Sequence, residues 1–378
     1  MIVTISIIRN YYCIIRRILA RTERVLFTTP FYMLFDFFLL KYLFLLFGGI
    51  SNWHILILTI IIGLMHFLPT LLETKKSRGI TRFIARFYGF FVWCSLMFLF
   101  ELIFINVFGL FISVPIGIIV LLLTAVPLFG LYNYHHAHQI KVKERTLKFE
   151  NLKEDVNIVH LTDVHFGSLM HAESMKNLAE ELKKLEEVCD LAIISGDLAD
   201  GSCIIEEDSF MPLSDVDMPI IFSPGNHDFY PGIDNVFNAC NAAGIIVLDN
   251  EQIGFKDLSI FGFSYSFDSL LPVSEQTLRD AVKEDSVNLM IYHVPQKWEE
   301  FSDLGFNLQL SGHTHGGQFH PVTFLANILL SYNMGLFERI AGGKKAYLHV
   351  STGVGVMDYP MRWGTDSELV ILKLRKDN

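Results

Sequence analysis

The hydrophobic positions divide the chain into two parts with different patterns. Up to about residue 132 the apolar residues form four long runs, whereas from Asn157 onwards they form short runs of four to six residues that end in polar residues and glycine. A run of roughly 20 apolar residues can cross a bilayer as a helix, and a short run between turn residues is typical of a buried strand. The pattern predicts a membrane part followed by an α/β part.

The four long runs predict four transmembrane helices. They cover about residues 25–47, 53–72, 87–108 and 110–132, and the last two lie so close that they should form a tight helical hairpin. A cleavable signal peptide does not fit, because it has one short apolar core and a cleavage site of small residues. We expect an all-α transmembrane anchor over residues 1–148.

Basic residues indicate how this anchor is oriented. They form three clusters: one precedes the first span, one lies between the second and the third, and one follows the fourth. In this order the clusters are Arg9, Arg16, Arg17, Arg21 and Arg24; Lys75, Lys76, Arg78, Arg82 and Arg86; and Lys141, Lys143, Arg145 and Lys148. Four spans place all three clusters on one side, and Lys and Arg are enriched on the cytoplasmic side. We expect an integral protein of the plasma or inner membrane whose second part lies in the cytoplasm.

Three charged residues, Asp36, Lys41 and Glu101, lie inside the apolar runs. A charge within the bilayer is costly and is a functional hint by default. The alternative is that these side chains face each other or reach the interface. The sequence leaves their role open.

The charge balance separates the same two parts. Up to Lys148 there are 15 Lys and Arg against 5 Asp and Glu, whereas the remainder holds 15 against 35. An acidic domain argues against nucleic-acid binding, which depends on basic surface. The cysteines have no paired spacing, which favours reduced thiols and a cytosolic face; they are Cys13, Cys94, Cys189, Cys203 and Cys240.

In the second part, five short apolar runs predict buried strands at residues 158–161, 191–194, 220–222, 289–292 and 308–310. Between the first two, apolar residues over Ala172–Val188 recur at helical spacing, which predicts a strand–helix–strand unit. Further strands at 245–248 and 258–263 have no long helix between them. A mixed α/β domain with more than one sheet is expected.

Polar residues of one chemical type follow each predicted strand. They are Thr162-Asp163-Val164-His165, Ser195-Gly196-Asp197, Gly225-Asn226-His227-Asp228, His293, and Gly312-His313-Thr314-His315-Gly316-Gly317. Ligands bind at the carboxyl edge of open α/β sheets. Carboxylates, an amide and imidazoles suit Mn, Fe or Zn, and the lack of a thiolate disfavours a structural zinc site. Each motif alone is weak, but their combination predicts a two-metal site for phosphoryl chemistry.

In this order the motifs resemble those of the calcineurin-like metallophosphoesterases, over about Asn157 to Leu374. LTDVHFG, SGDLAD, GNHDFY and SGHTHGGQ are most similar to a bacterial membrane-anchored phosphodiesterase branch. The resemblance implies a four-layer α/β/β/α sandwich, here over residues 149–378, with a dinuclear site between two sheets.

The resemblance also implies a role for each motif residue. Asp163, His165 and His315 would hold one divalent ion, Asn226, His293 and His313 a second, and Asp197 would bridge them. His227 would contact the phosphate and protonate the leaving oxygen, oriented by Asp228. Arg362 would contact the substrate phosphate or be a solvated arginine. The stretch after Arg362, residues 363–368, departs from the Cys-Pro-Pro-Glu-like sequence of that branch. This departure leaves the role of Arg362 open.

The substrate is predicted less sharply than the site. The apolar segment 324–330 is either a core helix or a surface that leans into the bilayer and admits a lipid. We expect a lipid-linked phosphoester, for example a UDP-diacylglucosamine. The alternatives are a phosphodiesterase of soluble or cyclic nucleotides whose spans act as a sensor or transporter, and a scaffold that binds without turnover. The scaffold is disfavoured, because no predicted ligand position is substituted.

Overall fold

The computed structural model describes residues 2–72, 77–266 and 273–377. The chain forms two compact units. The helical unit comprises Met1–His136 and Met357–Met361, and the catalytic unit comprises Ala137–Val356 and Arg362–Asn378. Lys75 and Lys76 of the second basic cluster lie outside the described residues.

Four helices make up the first part of the chain: α1 (Ile2–Leu45), α2 (Asn52–Leu72), α3 (Gly79–Gly109) and α4 (Ile116–Ala137). Within the described residues these four are long and apolar enough to cross a membrane. α3 begins eight residues before the predicted start of the third span, and α4 begins six residues after the predicted start of the fourth. Residues 110–115 therefore separate the two helices, in contrast to the tight hairpin that the sequence predicts. Pro115 has no N–H and disfavours helical backbone at the preceding residue, so the chain between the two helices stays open.

The three intramembrane charges have different surroundings. Asp36 is 3% exposed and accepts a hydrogen bond from the Ser95 hydroxyl. Glu101 is half-buried, whereas Lys41 is exposed. Asp36 is therefore the one of the three that is enclosed by the helices.

Two six-stranded sheets form the frame of the catalytic unit. The first contains, in spatial order, β1 (Ile140–Phe149), β12 (Ser367–Lys376), β2 (Val156–Leu161), β3 (Leu191–Ile194), β4 (Ile220–Phe222) and β5 (Ile246–Val247). The second contains β10 (Gly335–Ala341), β11 (Lys344–Val350), β9 (Leu308–Ser311), β8 (Val287–Tyr292), β7 (Leu258–Phe263) and β6 (Glu251–Phe255). β2 to β5 are parallel, as are β7, β8, β9 and β11.

The helices cover the outer faces of both sheets. Apolar residues of the two sheets, such as Ile158 and Leu289, share one buried cluster between them. α5 (Ala172–Lys183) and α6 (Ile233–Ala242) pack on the first sheet, and α7 (Glu275–Ala281) and α8 (Trp298–Leu304) pack on the second. The predicted α/β/β/α arrangement is confirmed.

The boundary between the units differs from the predicted one at Lys148. Residues of the third basic cluster form β1, which pairs in parallel with β12 from Ile140 and Ser367 onwards. This pairing joins segments more than 220 residues apart, and local sequence carries little information about such a partner. β1, β6 and β10 to β12 were not predicted.

The apolar segment that follows the last motif forms α9 (Val322–Leu329). Only Thr323 of its eight residues is buried. The core-helix alternative is therefore wrong, and the helix presents its apolar residues to the surface.

Candidate metal centre

The motif residues meet where neighbouring strands of the two sheets end. β2, β3 and β4 lie side by side in the first sheet, and β8 and β9 are neighbours in the second. Parallel strands bring their carboxyl ends to one edge, so the loops after all five strands converge. Three groups of potential ligands result, in each of which the donor atoms lie within 4.8 Å of one another: Asp163, His165 and His315; Asp197, His293 and His313; and His165, Asp197 and His227.

The first group is built around the Asp163 carboxylate. Its Oδ1 lies 3.3 Å from His315 Nε2 and 3.6 Å from His165 Nε2. The two Nε2 atoms are 3.0 Å apart. All three side chains are buried. These are the three residues predicted to hold the first ion.

The second group is built around Asp197. Its Oδ2 lies 3.0 Å from His293 Nε2 and 3.9 Å from His165 Nε2 of the first group. His293 Nδ1 donates to the Ser195 carbonyl at 2.8 Å, which directs the other ring nitrogen, Nε2, towards Asp197. The His313 ring lies 5.2 Å from that of His293 and is exposed to solvent. Asp197 is thus placed between both groups, as a bridging ligand requires.

The imidazoles stabilise the charge of both carboxylates. Burial alone would raise the pKa of Asp197, but the nearby His293 outweighs it and holds the pKa below its usual value. For Asp163, burial is likewise outweighed by His315 and His293, and its pKa is well below the usual value. Both groups are therefore anionic at neutral pH, the state in which a carboxylate binds a cation.

The backbone at the site is in a conformation that non-glycine residues rarely adopt. Within residues 2–72, 77–266 and 273–377, ten non-glycine residues have a positive φ, and five of them are predicted ligands: Asp163, His165, Asp197, His313 and His315. Such backbone costs of order 1–3 kcal/mol per residue and concentrates at functional sites. Here it turns successive side chains of each short loop towards the same point.

Unsatisfied buried atoms test whether metal ions fit this site. Within the part of the chain that the structure describes, four atoms of predicted ligands are buried without a hydrogen-bond partner: Asn226 Oδ1, His293 Nε2, and the Nδ1 atoms of His165 and His315. A buried polar atom is normally paired, because leaving it unpaired costs about 1–3 kcal/mol. The donor set of nitrogen and oxygen, with four unsatisfied members, fits divalent cations.

The predicted acid, His227, lies at the edge of the cluster. Its ring is 4.9 Å from that of His165, and its backbone N–H donates to Asp197 Oδ1 at 2.8 Å. Its Nδ1 lies 2.8 Å from the Asp200 carbonyl. A proton on Nδ1 leaves Nε2 free to exchange a proton with a substrate.

Asp228 does not orient His227, in contrast to the prediction. Its carboxylate accepts three backbone N–H groups at 2.8 Å each, from Asp197, Ala199 and Gly225. The Asp200 carbonyl provides the hydrogen bond that was assigned to Asp228. Asp228 instead ties together the two loops that carry Asp197 and Asn226.

Comparison with known proteins gives this arrangement its family. Residues 156–317 match the family model described as calcineurin-like phosphoesterase. The chain therefore contains a calcineurin-like metallophosphoesterase domain. The matched range contains both metal-ligand groups and His227, and ends just after His315.

Curated metallophosphoesterases that resemble the chain come from bacteria and an animal. An uncharacterized metallophosphoesterase of Helicobacter pylori is 27% identical over 63% of this chain and 65% of its own length. One of Campylobacter jejuni is 30% identical over 62% and 63%, respectively. A transmembrane protein with metallophosphoesterase domain from Danio rerio is 26% identical over 68% and 62%. The chain thus spans slightly less than two thirds of these relatives.

Arg362, which lies outside the matched range, is fully buried. Its guanidinium donates to the carbonyls of Thr352, Gly353 and Gly355, at 2.7, 3.1 and 2.6 Å. The loop that it holds lies against the predicted metal ligand Asp163, because Gly355 N donates to the Asp163 carbonyl at 2.8 Å. A Cβ at Gly353 would come within 2.7 Å of Asp163 Cβ. This geometry favours a positioning role over the predicted contact with substrate phosphate.

We expect Arg362→Lys to raise the divalent-metal concentration needed for half-maximal activity by roughly 10-fold or more, the usual range for outer ligands of a metal site. Lys has one compact ammonium and cannot reproduce the planar fork, in which Nη2 reaches the three carbonyls while Nη1 donates to Thr365 Oγ1. Metal titration of activity and calorimetric metal binding would measure the shift.

The matched control for this substitution is Arg279→Lys, whose side chain is 55% exposed and pairs with Glu275 on α7. A raised KM for substrate at saturating metal, without a change in metal affinity, would favour direct phosphate contact instead.

Two elements of the site were missed from the sequence. The Asp200 carbonyl that orients His227 is a backbone group, so residue identity does not reveal it. The loop Ser351–Gly355 does have a signal, since Ser-Thr-Gly-Val-Gly follows an apolar strand as the recognised motifs do.

Proposed function

We propose that the protein is a membrane-anchored phosphoester hydrolase that depends on two divalent metal ions and acts on a lipid-linked phosphodiester or diphosphate. The observation that carries the proposal is the placement of Asp197 between two ligand groups, 3.0 Å from His293 and 3.9 Å from His165. A shared carboxylate is how one side chain holds two ions close together.

The proposed ligands divide as the sequence predicts. Asp163, His165 and His315 would hold one ion, and Asn226, His293 and His313 the other, with Asp197 shared. The nitrogen and oxygen donors suit Mn, Fe or Zn. When bound, two such ions provide Lewis acidity that activates water and neutralises phosphoryl charge.

The chain's own groups would orient His227 and supply the proton for the leaving oxygen. The Asp200 carbonyl holds His227 by Nδ1, so that Nε2 would donate a proton to the leaving oxygen of the ester. General acid catalysis of this kind contributes roughly 10²–10⁴-fold. The backbone hydrogen bonds of Asp228 keep the Asp197 and Asn226 loops in register.

The membrane anchor supports a lipid-linked substrate. α4, the last candidate span, ends at Ala137, and β1 of the catalytic sheet begins at Ile140. The Ser367 hydroxyl at the start of β12 donates to the Ala137 carbonyl at 2.7 Å. Ala137, the last residue of α4, therefore belongs to the catalytic unit itself. The basic clusters favour placing this domain on the cytoplasmic side.

A specific observation favours a second candidate, a phosphodiesterase of soluble nucleotides regulated by its spans. Asp36 is enclosed by the helices, and an intramembrane carboxylate marks a ligand or proton pathway more often than a passive anchor. Under this candidate, Asp36→Leu would change turnover, whereas a passive anchor would tolerate it.

A substrate panel on the full-length chain tests the proposal. We expect kcat/KM for a lipid-linked diphosphate in mixed micelles to exceed that for cyclic nucleotides by about 10-fold or more, because binding energy from the acyl part contributes to catalysis. Chelation should abolish turnover, and added Mn should restore it. Preferential turnover of soluble nucleotides would reject the lipid-linked substrate, and metal-independent turnover would reject the mechanism.

A further inference from the structure

The helix α9 carries an unusual concentration of exposed apolar side chains. Phe324, Leu325, Ile328 and Leu329 are 60%, 51%, 64% and 78% exposed. Their spacing places all four on one face of the helix, and we call this face the α9 patch. The helix contains no charged residue.

The α9 patch differs from the other exposed apolar residues of the catalytic unit. Among the described residues, those such as Val188, Met211 and Ile340 lie singly on separate elements. Scattered exposed apolar residues are normal, whereas a contiguous patch marks an interaction surface. A water-facing helix would normally carry polar residues there.

The helix is joined closely to the metal centre. Gly317 follows the ligand His315 by two residues, and a Cβ at Gly317 would lie 2.7 Å from the Thr323 Cα of α9. Thr323 N donates to the Phe319 carbonyl at 3.0 Å. The first turn of α9 is therefore fixed to the loop that carries two metal ligands, His313 and His315.

The segment leading into α9 is also bonded to the chain region that adjoins the end of the last span. Ser367 donates to the Ala137 carbonyl, and two residues earlier Thr365 Oγ1 donates to the Gln318 carbonyl at 2.7 Å. His320 N donates to the Trp363 carbonyl at 3.1 Å. Ala137 and the start of α9 thus belong to one hydrogen-bonded edge of the catalytic unit.

The same edge has the composition of a membrane interface. Trp363 is 37% exposed, and its ring lies 5.3 Å from that of His320, next to the start of α9. Tryptophan is enriched at the level of lipid headgroups, where its ring is partly apolar and its N–H stays hydrated. An apolar helix face beside such a residue is typical of an interfacial helix.

We infer that the α9 patch inserts into the bilayer that holds the four spans and guides a lipid-linked phosphoester to the metal centre. The acyl part of the substrate contacts the patch, while the adjoining loop with His313 and His315 receives its phosphoryl group. The inference rests on the proposed function for its substrate, but the insertion itself does not.

Insertion is tested on the full-length chain in vesicles of phosphatidylcholine and phosphatidylglycerol. An environment-sensitive fluorophore on Leu329→Cys should be blue-shifted and protected from iodide, whereas the same label on Val188→Cys should remain quenched. Val188 is a matched control because its side chain is 56% exposed on the catalytic unit. The parent chain provides the background, and Cys94, Cys189, Cys203 and Cys240 are buried.

Guidance is tested by making the patch polar. Phe324→Ser with Leu329→Ser should lower kcat/KM for a lipid-linked substrate in vesicles by about 10-fold or more, since two large apolar contacts are lost. Turnover of a soluble aryl phosphodiester by this double variant should stay unchanged. In the control variant Ile340→Ser, turnover of both substrates should stay unchanged. Because the replaced side chains are exposed, the folded core is unaffected.

The outcomes separate the two proposals. Equal iodide quenching at positions 329 and 188 would overturn the inference even if lipids are hydrolysed. Protection that depends on the protein-to-lipid ratio would assign the patch to a second copy of the chain and would also overturn it. Protection without any lipid hydrolysis would support insertion while rejecting the proposed substrate.

Discussion

Asp197→Asn is expected to lower kcat/KM by roughly 10³-fold or more, equivalent to about 4 kcal/mol of transition-state stabilisation. Asn keeps the size of the side chain but removes the charge that faces His293 at 3.0 Å and His165 at 3.9 Å. A neutral amide cannot hold two cations close together, so both ligand groups lose affinity. Elemental analysis of the purified variant should show less than the parent's metal content.

The matched control for this substitution is Asp215→Asn. The Asp215 side chain is 68% exposed and pairs with Lys183 on the surface, and exposed pairs contribute about 0–1 kcal/mol. Both variants should unfold at temperatures close to that of the parent in the presence of chelator. An Asp197→Asn protein with full turnover and full metal content would contradict the bridging assignment.

His227→Ala is expected to lower kcat by about 10²–10⁴-fold, the range of a general acid, while leaving the metal content unchanged. The metal readout matters because His227 lies within reach of His165 and Asp197 and forms a third potential ligand group with them. If His227 is the general acid, the variant loses activity but keeps its metal. If His227 is instead a metal ligand, the variant loses both activity and metal.

The leaving group provides a second readout for His227. An ester whose leaving group is an acidic phenol needs little protonation, so its hydrolysis should be affected much less than that of an alkyl ester. His54→Ala is a suitable control, because His54 is an exposed histidine of the helical unit. Equal loss for both esters together with lost metal would make His227 a ligand.

Several features of the fold follow from local sequence. The runs at 191–194, 220–222 and 258–263 coincide with β3, β4 and β7, because a fully buried strand between turn residues has a clear local pattern. The ligand motifs could be found for a related reason. Each follows a recognisable strand, and parallel strands bring their carboxyl ends together whatever the intervening sequence.

The bounds of the spans and the burial of α9 could not be predicted as well from local sequence. The 20-residue apolar criterion does not register that Pro115 delays the start of α4, or that α3 continues back to Gly79 through a basic segment. For α9, an apolar helix in the core and one at an interface have similar compositions, and only the surrounding packing distinguishes them. In the structure, seven of the eight residues of α9 are not buried.

The sequence by itself determined the two-part architecture, the four candidate spans and the candidate metal-ligand motifs, because each depends on residue type and spacing within one segment. The tertiary structure decided that β1 joins the catalytic sheet, that Asp228 and Arg362 bind backbone groups, and that the Asp200 carbonyl orients His227. It also decided that the α9 patch is exposed at the edge that includes Ala137. Each of these depends on contacts between distant segments or on backbone atoms, which residue identity does not encode.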